Sequence, residues 1–306
     1  RKYYRWLLPL LPYAIESLVI RDADLVISSS HCVAKGVRVP AGARHVCYCH
    51  TPMRYIWGFQ DVYFRTYPYP VRRVIHMVLD KLKTWDLKSN EGVHHFMCNS
   101  ENVEKRIRDF YGREAKVIYP PLDTNSFYPP EEAGTGDYYL VVSALVPYKR
   151  VDLVIEAFNA LDRKLIVVGS GPLAPACRKL RKNEKIFFLE SVSDTRLREL
   201  YAGAKALIFP TDEDFGIVPL EAQACGTPVI ALGRGGALES VRKGIFFNGQ
   251  TAEDIRKAVS EIETMTFDRR EIARSVDSFN KNRFKDEIKQ FIETLIATEG
   301  AHAHHP

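Results

Sequence analysis

Within "ALIFPTDEDFGIVPLE" (206–221) two carboxylates, Glu213 and Glu221, stand eight positions apart, separated by a Phe-Gly pair, an apolar run and a proline. The preceding "ALIFP" reads as a buried strand, and "IVPLEAQAC" (217–225) as a helix ended by Gly226. A loop between the carboxyl end of a parallel strand and a helix N-terminus is where open α/β sheets bind ligands. Helix amides and dipole favour an anion such as a diphosphate there, and Gly216 lets the backbone come close to it. A carboxylate accepts two hydrogen bonds from a vicinal diol. Glu213 and Glu221 can therefore each hold a sugar diol, one on either side of a diphosphate. The plainer reading is an acidic first helical turn stabilised by the same dipole.

Four further stretches carry chemistry. "VPYKR" (146–150) lies between a strand and a helix start, so Lys149 and Arg150 point to the same carboxyl-end crevice, where paired cations suit a diphosphate leaving group. In "VVGSGPLAPA" (167–176), Gly169, Gly171 and Ala174 imitate a dinucleotide fingerprint, with Glu190 beyond at a strand end; that reading leaves "EDFGIVPLE" without a task. "CYCHTPMRY" (47–55) sets His50 at a strand end before a Thr-Pro turn, while His31, His45, His76, His94 and His95 read as structural. "GRGGALESV" (233–241) is a Gly-rich turn entering a helix, whose amides at Gly235 and Gly236 can bind an anion or a hydroxyl.

The elements that must position these residues alternate. Strands are expected at 138–145, 164–169, 186–191, 206–210 and 228–232, and helices at 150–161, 194–204 (Asp194 as N-cap) and 217–225. Such alternation builds a parallel, doubly wound sheet. Before it, strands are expected at 24–30, 44–50 and 94–100, with a helix at 101–112 closed by Gly112. The stretch 117–137 holds four prolines and reads as a domain boundary.

The 306 residues suit two domains. The charge is uneven. Residues 1–120 hold 19 Lys and Arg against 11 Asp and Glu, and the rest 24 against 27, so the net +5 hides a basic first half. A basic half suits an anionic surface or substrate, or is a solvated face. No apolar run reaches the roughly 18 residues of a spanning helix, and two prolines and Glu16 interrupt "RKYYRWLLPLLPYAIESLVI", which does not read as a signal peptide. The six cysteines show no zinc spacing and read as reduced, mostly buried thiols of a cytosolic protein. The closing "EGAHAHHP" reads as a disordered end. Nothing points to nucleic acid.

Taken in order, these stretches resemble the family 4 retaining glycosyltransferases of the GT-B fold, and within them look most like bacterial and archaeal mannosyltransferase-type enzymes of surface-polysaccharide assembly. The likeness runs from about residue 8 to residue 295; "EDFGIVPLE" with "AQACGTPVIALGRGGALESV" is its most specific part, supported by "LVPYKRVDLVIEAFN" and "SSSHCVAKGV…CYCHTPMRY". The resemblance implies two Rossmann-like, doubly wound domains facing across a cleft: an acceptor-side domain over 1–120, expected to be incomplete at its first strands, and a nucleotide-sugar domain over 121–280. The segment 281–306 is then a helix packing back on the first domain, plus a tail.

The resemblance also implies roles. Glu213, Lys149 and His50 act at the reacting centre: Glu213 at the sugar hydroxyls, Lys149 at the diphosphate, His50 on the donor sugar. Arg150, Gly169, Gly171, Phe215, Gly216, Ile217, Val218 and Glu221 bind the donor, with Glu221 on the ribose and the base near 190–194. Where such enzymes often carry an arginine, five positions before the lysine, this chain has Ala144, and Lys149 and Arg150 are expected to share its task.

The expected reaction moves a hexose from a nucleotide diphosphate sugar to a glycan or polyprenyl-linked acceptor, without metal or other cofactor, at the cytoplasmic side of an anionic membrane. A nucleotide-sugar epimerase, a dehydrogenase using the glycine turn, and a non-catalytic sugar-nucleotide-binding half-enzyme are the alternatives.

Overall fold

Among the described residues, ten short strands, all pairing in parallel, carry the architecture. The structure is a computed structural model that describes residues 4–58, 60–64, 67–131 and 136–302. The chain forms two compact units, Arg1–Ile118 and Tyr119–Pro306.

In the first unit the sheet order is β1 (Leu25–Ser30), β2 (Arg44–Cys49), β3 (His95–Cys98), β4 (Ala115–Val117). Burial of β2 and β3 on both faces explains their apolar runs, and Cys47, Cys49 and Cys98 pack there against Val103 and Ile107 of the helix Glu101–Tyr111. Ser100 caps that helix through the Val103 N–H; Gly112 ends it, as expected, in the left-handed conformation. Five of the six cysteines, none in a disulfide, are buried, and burial pushes Cys47 up to about 11, so these are inert packing groups.

The long helix Tyr69–Lys88 buries Leu79 and Leu82 in a second core with Leu8, Met53 and Trp57, while Ile75 and Val78 pack at its border. Asp86 on this helix is fully buried. It pairs with Lys35 at 3.0 Å and accepts hydrogen bonds from Trp57 Nε1 (2.7 Å) and the Tyr111 hydroxyl (2.8 Å). A buried pair of this kind is stable only because every charge has partners.

The second unit has a six-stranded sheet in the order β10 (Gly244–Phe247), β9 (Val229–Leu232), β8 (Ala206–Phe209), β5 (Tyr138–Val142), β6 (Lys164–Val168), β7 (Ile186–Leu189). The chain builds outward from β5 to β7, returns to the other side of β5 with β8, and builds outward again. Successive residues of β5 face opposite cores: Tyr139 and Val141 meet the helices Val151–Asn159 and Ala252–Ile262, and Leu140 meets the side of Asp194–Gly203 and Ile217–Ala224. Both faces are covered, which makes this unit doubly wound.

Several expectations need correction. Ser193, not Asp194, caps the helix Asp194–Gly203, because its hydroxyl accepts the Arg196 N–H at 3.2 Å; Asp194 falls in the first turn, where the dipole favours it. Three strands end two or three residues before the expected limit, at Cys98, Val142 and Leu189, and the others end within one residue of it. The helix Lys281–His302 enters the segment expected to be disordered; residues 303–306 lie outside the described residues. Among the described residues no helix is long and apolar enough to cross a membrane.

Candidate active site

The reversal of strand order beside β5 creates a switch point between β5 and β8, and their two following loops meet there. After β5, residues Pro147–Lys149 form a 3-10 turn, and Arg150 adopts φ 50°, uncommon for a residue with a side chain, before the helix Val151–Asn159 begins. After β8 comes the acidic loop 210–216. The Thr211 hydroxyl donates to the Tyr148 carbonyl at 3.1 Å, and Lys149 forms an ion pair with Glu213. Both charged side chains are mostly buried, 17% and 19% exposed, so the pair is shielded from bulk water.

The Lys149 and Arg150 side chains turn to different partners. The Arg150 guanidinium turns to Asp152 in the first turn of its own helix, with Nη2 and Oδ2 at 3.2 Å. The left-handed backbone at Arg150 accompanies this divergence. Ala144, on the same loop, is exposed.

Gly216, at φ 99°, turns the acidic loop into the helix Ile217–Ala224, and no side chain caps that helix. Ile217 is 45% exposed and Val218 half-buried, while Phe215 is buried beneath the loop. Glu221 lies one turn in, largely buried, and accepts the Tyr201 hydroxyl at 2.9 Å. Burial pushes its carboxyl up to about 7, against the opposing effect of the Tyr201 hydrogen bond, with Asp194 adding repulsion. Gln223 on the same helix is fully buried. It donates to the Pro219 and Ser240 carbonyls and accepts the amides of Arg242 and Lys243, locking the helix to the segment before β10.

Two glycine turns support these loops by backbone packing. A Cβ on Gly169 would lie 1.9 Å from the Ser143 carbonyl oxygen, and one on Gly171 2.4 Å from that of Leu145. The turn thus presses on the loop that carries Lys149, a task unlike a dinucleotide cradle. Glu190, the other half of that fingerprint, is exposed and paired with Arg178 at 2.9 Å. A Cβ on Gly236 would meet Phe215 Cα at 2.2 Å. The Gly236 amide, expected to meet a ligand, instead donates to the Glu213 carbonyl at 2.8 Å. Close packing consumes it.

His50 belongs to the first unit, whereas the other candidate residues belong to the second. It follows β2, its Nε2 is 2.8 Å from Ser29 Oγ, and its ring stands edge-on to Tyr48 at 5.2 Å. His45 and His94 are structural, as expected: His45 bridges Ser28 Oγ (2.8 Å) and the Gly92 carbonyl (3.0 Å), and His94 Nδ1 accepts the His45 amide. Among the described residues there is no cluster of three or more His, Cys, Asp or Glu able to hold a metal.

The family model for glycosyl transferases group 1 matches residues 124–285, more than half of the chain, and that for glycosyltransferase family 4 matches residues 1–126. The chain belongs to the group 1 glycosyl transferases. Among relatives of this family, the D-inositol 3-phosphate glycosyltransferase of Mycobacterium tuberculosis is 31% identical over 172 residues, covering 49% of this chain and 36% of that protein. The chain thus spans about a third of the length of the curated relatives it matches. Two solved structures share the fold. The sucrose-phosphate synthase of Thermosynechococcus elongatus superposes with TM-score 0.75 at 17% identity, covering 97% of this chain and 80% of that one. Anabaena HepE in complex with UDP gives 0.68 at 17% identity, covering 94% and 82%. The glycosyl transferase fold is therefore GT-B, with a Rossmann-like parallel sheet in each unit.

The sequence indicated Lys149, Glu213, Gly216 and Glu221, and the structure collects them around the carboxyl ends of β5 and β8. Tyr201 and Gln223 escaped it. Each acts through a partner about 20 residues away in sequence, and no spacing advertises that.

Proposed function

We propose that this chain transfers a hexosyl group, with mannose the first to test, from a nucleotide diphosphate sugar to a glycan or polyprenyl-linked acceptor with retention at the anomeric carbon. The observation that carries the reading is the Lys149–Glu213 pair at the switch point, with Glu221 one helical turn beyond Gly216. HepE, of the same fold, is described bound to UDP. In this reading the first-turn amides of Ile217 and Val218 and the Lys149 ammonium hold the diphosphate, Glu221 takes the ribose diol, and Glu213 takes the sugar hydroxyls.

The bond from the anomeric carbon to the diphosphate oxygen breaks as the bond to the acceptor oxygen forms. The acceptor proton passes to the leaving diphosphate, so no enzymic nucleophile is required. The chain's work is electrostatic: negative charge grows on the diphosphate, and Lys149, with Arg150 nearby, stabilises it without a metal. His50 is assigned to the donor sugar, and the base to the neighbourhood of residues 190–194.

A screen of nucleotide sugars with lipid-linked acceptors, read by mass and by the anomeric coupling of the product, tests this. Transfer with inversion, or no transfer from any hexose donor, defeats the reading. Chelator should leave the rate unchanged.

We place the enzyme on the cytoplasmic face of an anionic membrane. Val71, Val74 and Met77 are 39%, 60% and 60% exposed in a row along the helix Tyr69–Lys88, with the exposed cations Arg73 and Lys81 on the same side, whereas Lys83 turns to Trp57. Ile75, Val78, Leu79 and Leu82 of the same helix face the core, which leaves this outer face. Such a face suits in-plane contact with acidic lipid. Sedimentation with anionic vesicles that falls as salt rises supports it; equal binding to neutral vesicles overturns it.

A further inference from the structure

Phe215 sits between Glu213 and Gly216 in chain position, yet its side chain points away from the candidate site into an aromatic slot. Tyr119 stacks on it, with ring centroids 5.5 Å apart and planes 24° apart. Phe279 meets Phe215 at 5.9 Å and Tyr119 at 5.6 Å, closing a three-ring cluster. The guanidinium groups of Arg242 and Arg283 lie over Phe279, at 5.4 and 5.9 Å from its centroid. Phe215 and Phe279 are buried at 3% and 2% exposure.

The slot is built from two distant stretches of chain that are themselves joined. Tyr119 is the first residue of the second unit, and Phe279 lies just before the last helix. The Leu122 amide donates to the Phe279 carbonyl at 2.7 Å, and Lys281 pairs with Asp123 at 2.8 Å. On the other side of the loop the Gly235–Gly236 turn lies against the Glu213–Phe215 backbone and the Asp212 side chain, with no room for a Cβ at either position. Phe215 is therefore clamped between a ring slot and a backbone wall. Aromatic pairs of this geometry add attraction beyond their buried area.

We infer that Tyr119 and Phe279 are positioning residues for the acidic loop: by gripping Phe215 they fix where the Glu213 carboxylate and the Gly216 turn stand. The inference rests on the proposed transferase reading for its functional consequence, and on the ring geometry for its structural one. Phe215, expected to bind the donor, is instead buried against both rings, so they reach the donor groups only through the loop it anchors. Their effect is one of placement, to which catalysis is steeply sensitive.

The test compares Tyr119→Leu and Phe279→Leu with the conservative Tyr119→Phe. Tyr119→Leu should raise hydrogen exchange of the amides in 212–216 by about tenfold while leaving β5 and β6 protected. It should lower kcat by roughly ten- to a hundredfold, with donor KM changed less than about threefold. Tyr119→Phe should match the wild type in both. Phe279→Leu should repeat the Tyr119→Leu pattern; if it fails to fold, the two Tyr119 variants decide alone. Unchanged exchange in the loop of Tyr119→Leu overturns the inference. So does exchange that rises throughout the second unit, or an equal fall in kcat for Tyr119→Phe. If the wild type transfers no sugar, the exchange arm still decides whether the slot holds the loop, and the transferase reading fails separately.

Discussion

Lys149 and Glu213 neutralise each other across the two loops that leave the centre of the six-stranded sheet. Under the proposed reading, a diphosphate would compete for the ammonium and a sugar diol for the carboxylate, so donor binding would exchange one internal pair for two contacts.

This pairing separates two variants. Lys149→Ala should lower the transfer rate about 100-fold, the scale seen when a preorganised stabilising group is removed. Arg150→Ala should cost much less, because its guanidinium is directed to Asp152. Equal rate losses in a steady-state assay would show that the two cations act together after all.

Glu213→Ala should lower turnover about 100-fold or more while leaving affinity for the bare nucleoside diphosphate nearly unchanged. Glu221→Gln should do the reverse, weakening nucleotide binding by roughly 1–3 kcal/mol through the loss of a charged hydrogen bond. Titration calorimetry on both variants checks the division; loss of nucleotide binding in both would refute it.

Glu221 also imposes a pH dependence. Its folded carboxyl is raised from 4.5 to about 7, so the folded chain holds a proton that the unfolded chain has released. The associated stability is full below pH 4.5 and is lost as pH rises through about 7. Glu221→Gln, which cannot ionise, should flatten the fall in melting temperature between pH 5 and pH 8 that this group contributes. A wild-type and variant profile of identical slope would contradict the assignment.

In the first unit, Lys35→Ala should destabilise by about 3–5 kcal/mol, because Asp86 would keep a buried charge without its cation. Chemical denaturation of the first-unit transition measures it. A loss below about 1 kcal/mol, typical of exposed pairs, would mean that water reaches Asp86.

Much of this was legible from residue order. Apolar runs separated by Gly, Pro and acidic loops announce a parallel sheet, and polar residues at the ends of such runs fall at its carboxyl edge. That is why Lys149, Glu213 and Glu221 could be picked out. β4 and β10 could not. "AKV" and "GIFF" are too short to show a period, and they become strands only because β3 and β9 offer them a partner. The direction of Arg150 was equally hidden, since it depends on one left-handed residue. The ring slot is assembled from residues 119, 215 and 279, and nothing in their local sequence links them.

The strand order has a consequence for how the second unit is made. β5 is formed early in its sequence, yet one of its edges is completed only by β8, with Tyr139 in register with Ala206. During synthesis the apolar edge of β5 must wait while β6, β7 and their helices emerge. Pairing across so long a separation is intrinsically slow, and an open strand edge invites association with other chains in the meantime. That edge of β5 stays open until Ala206 and Leu207 of β8 are available to pair with Tyr139 and Leu140.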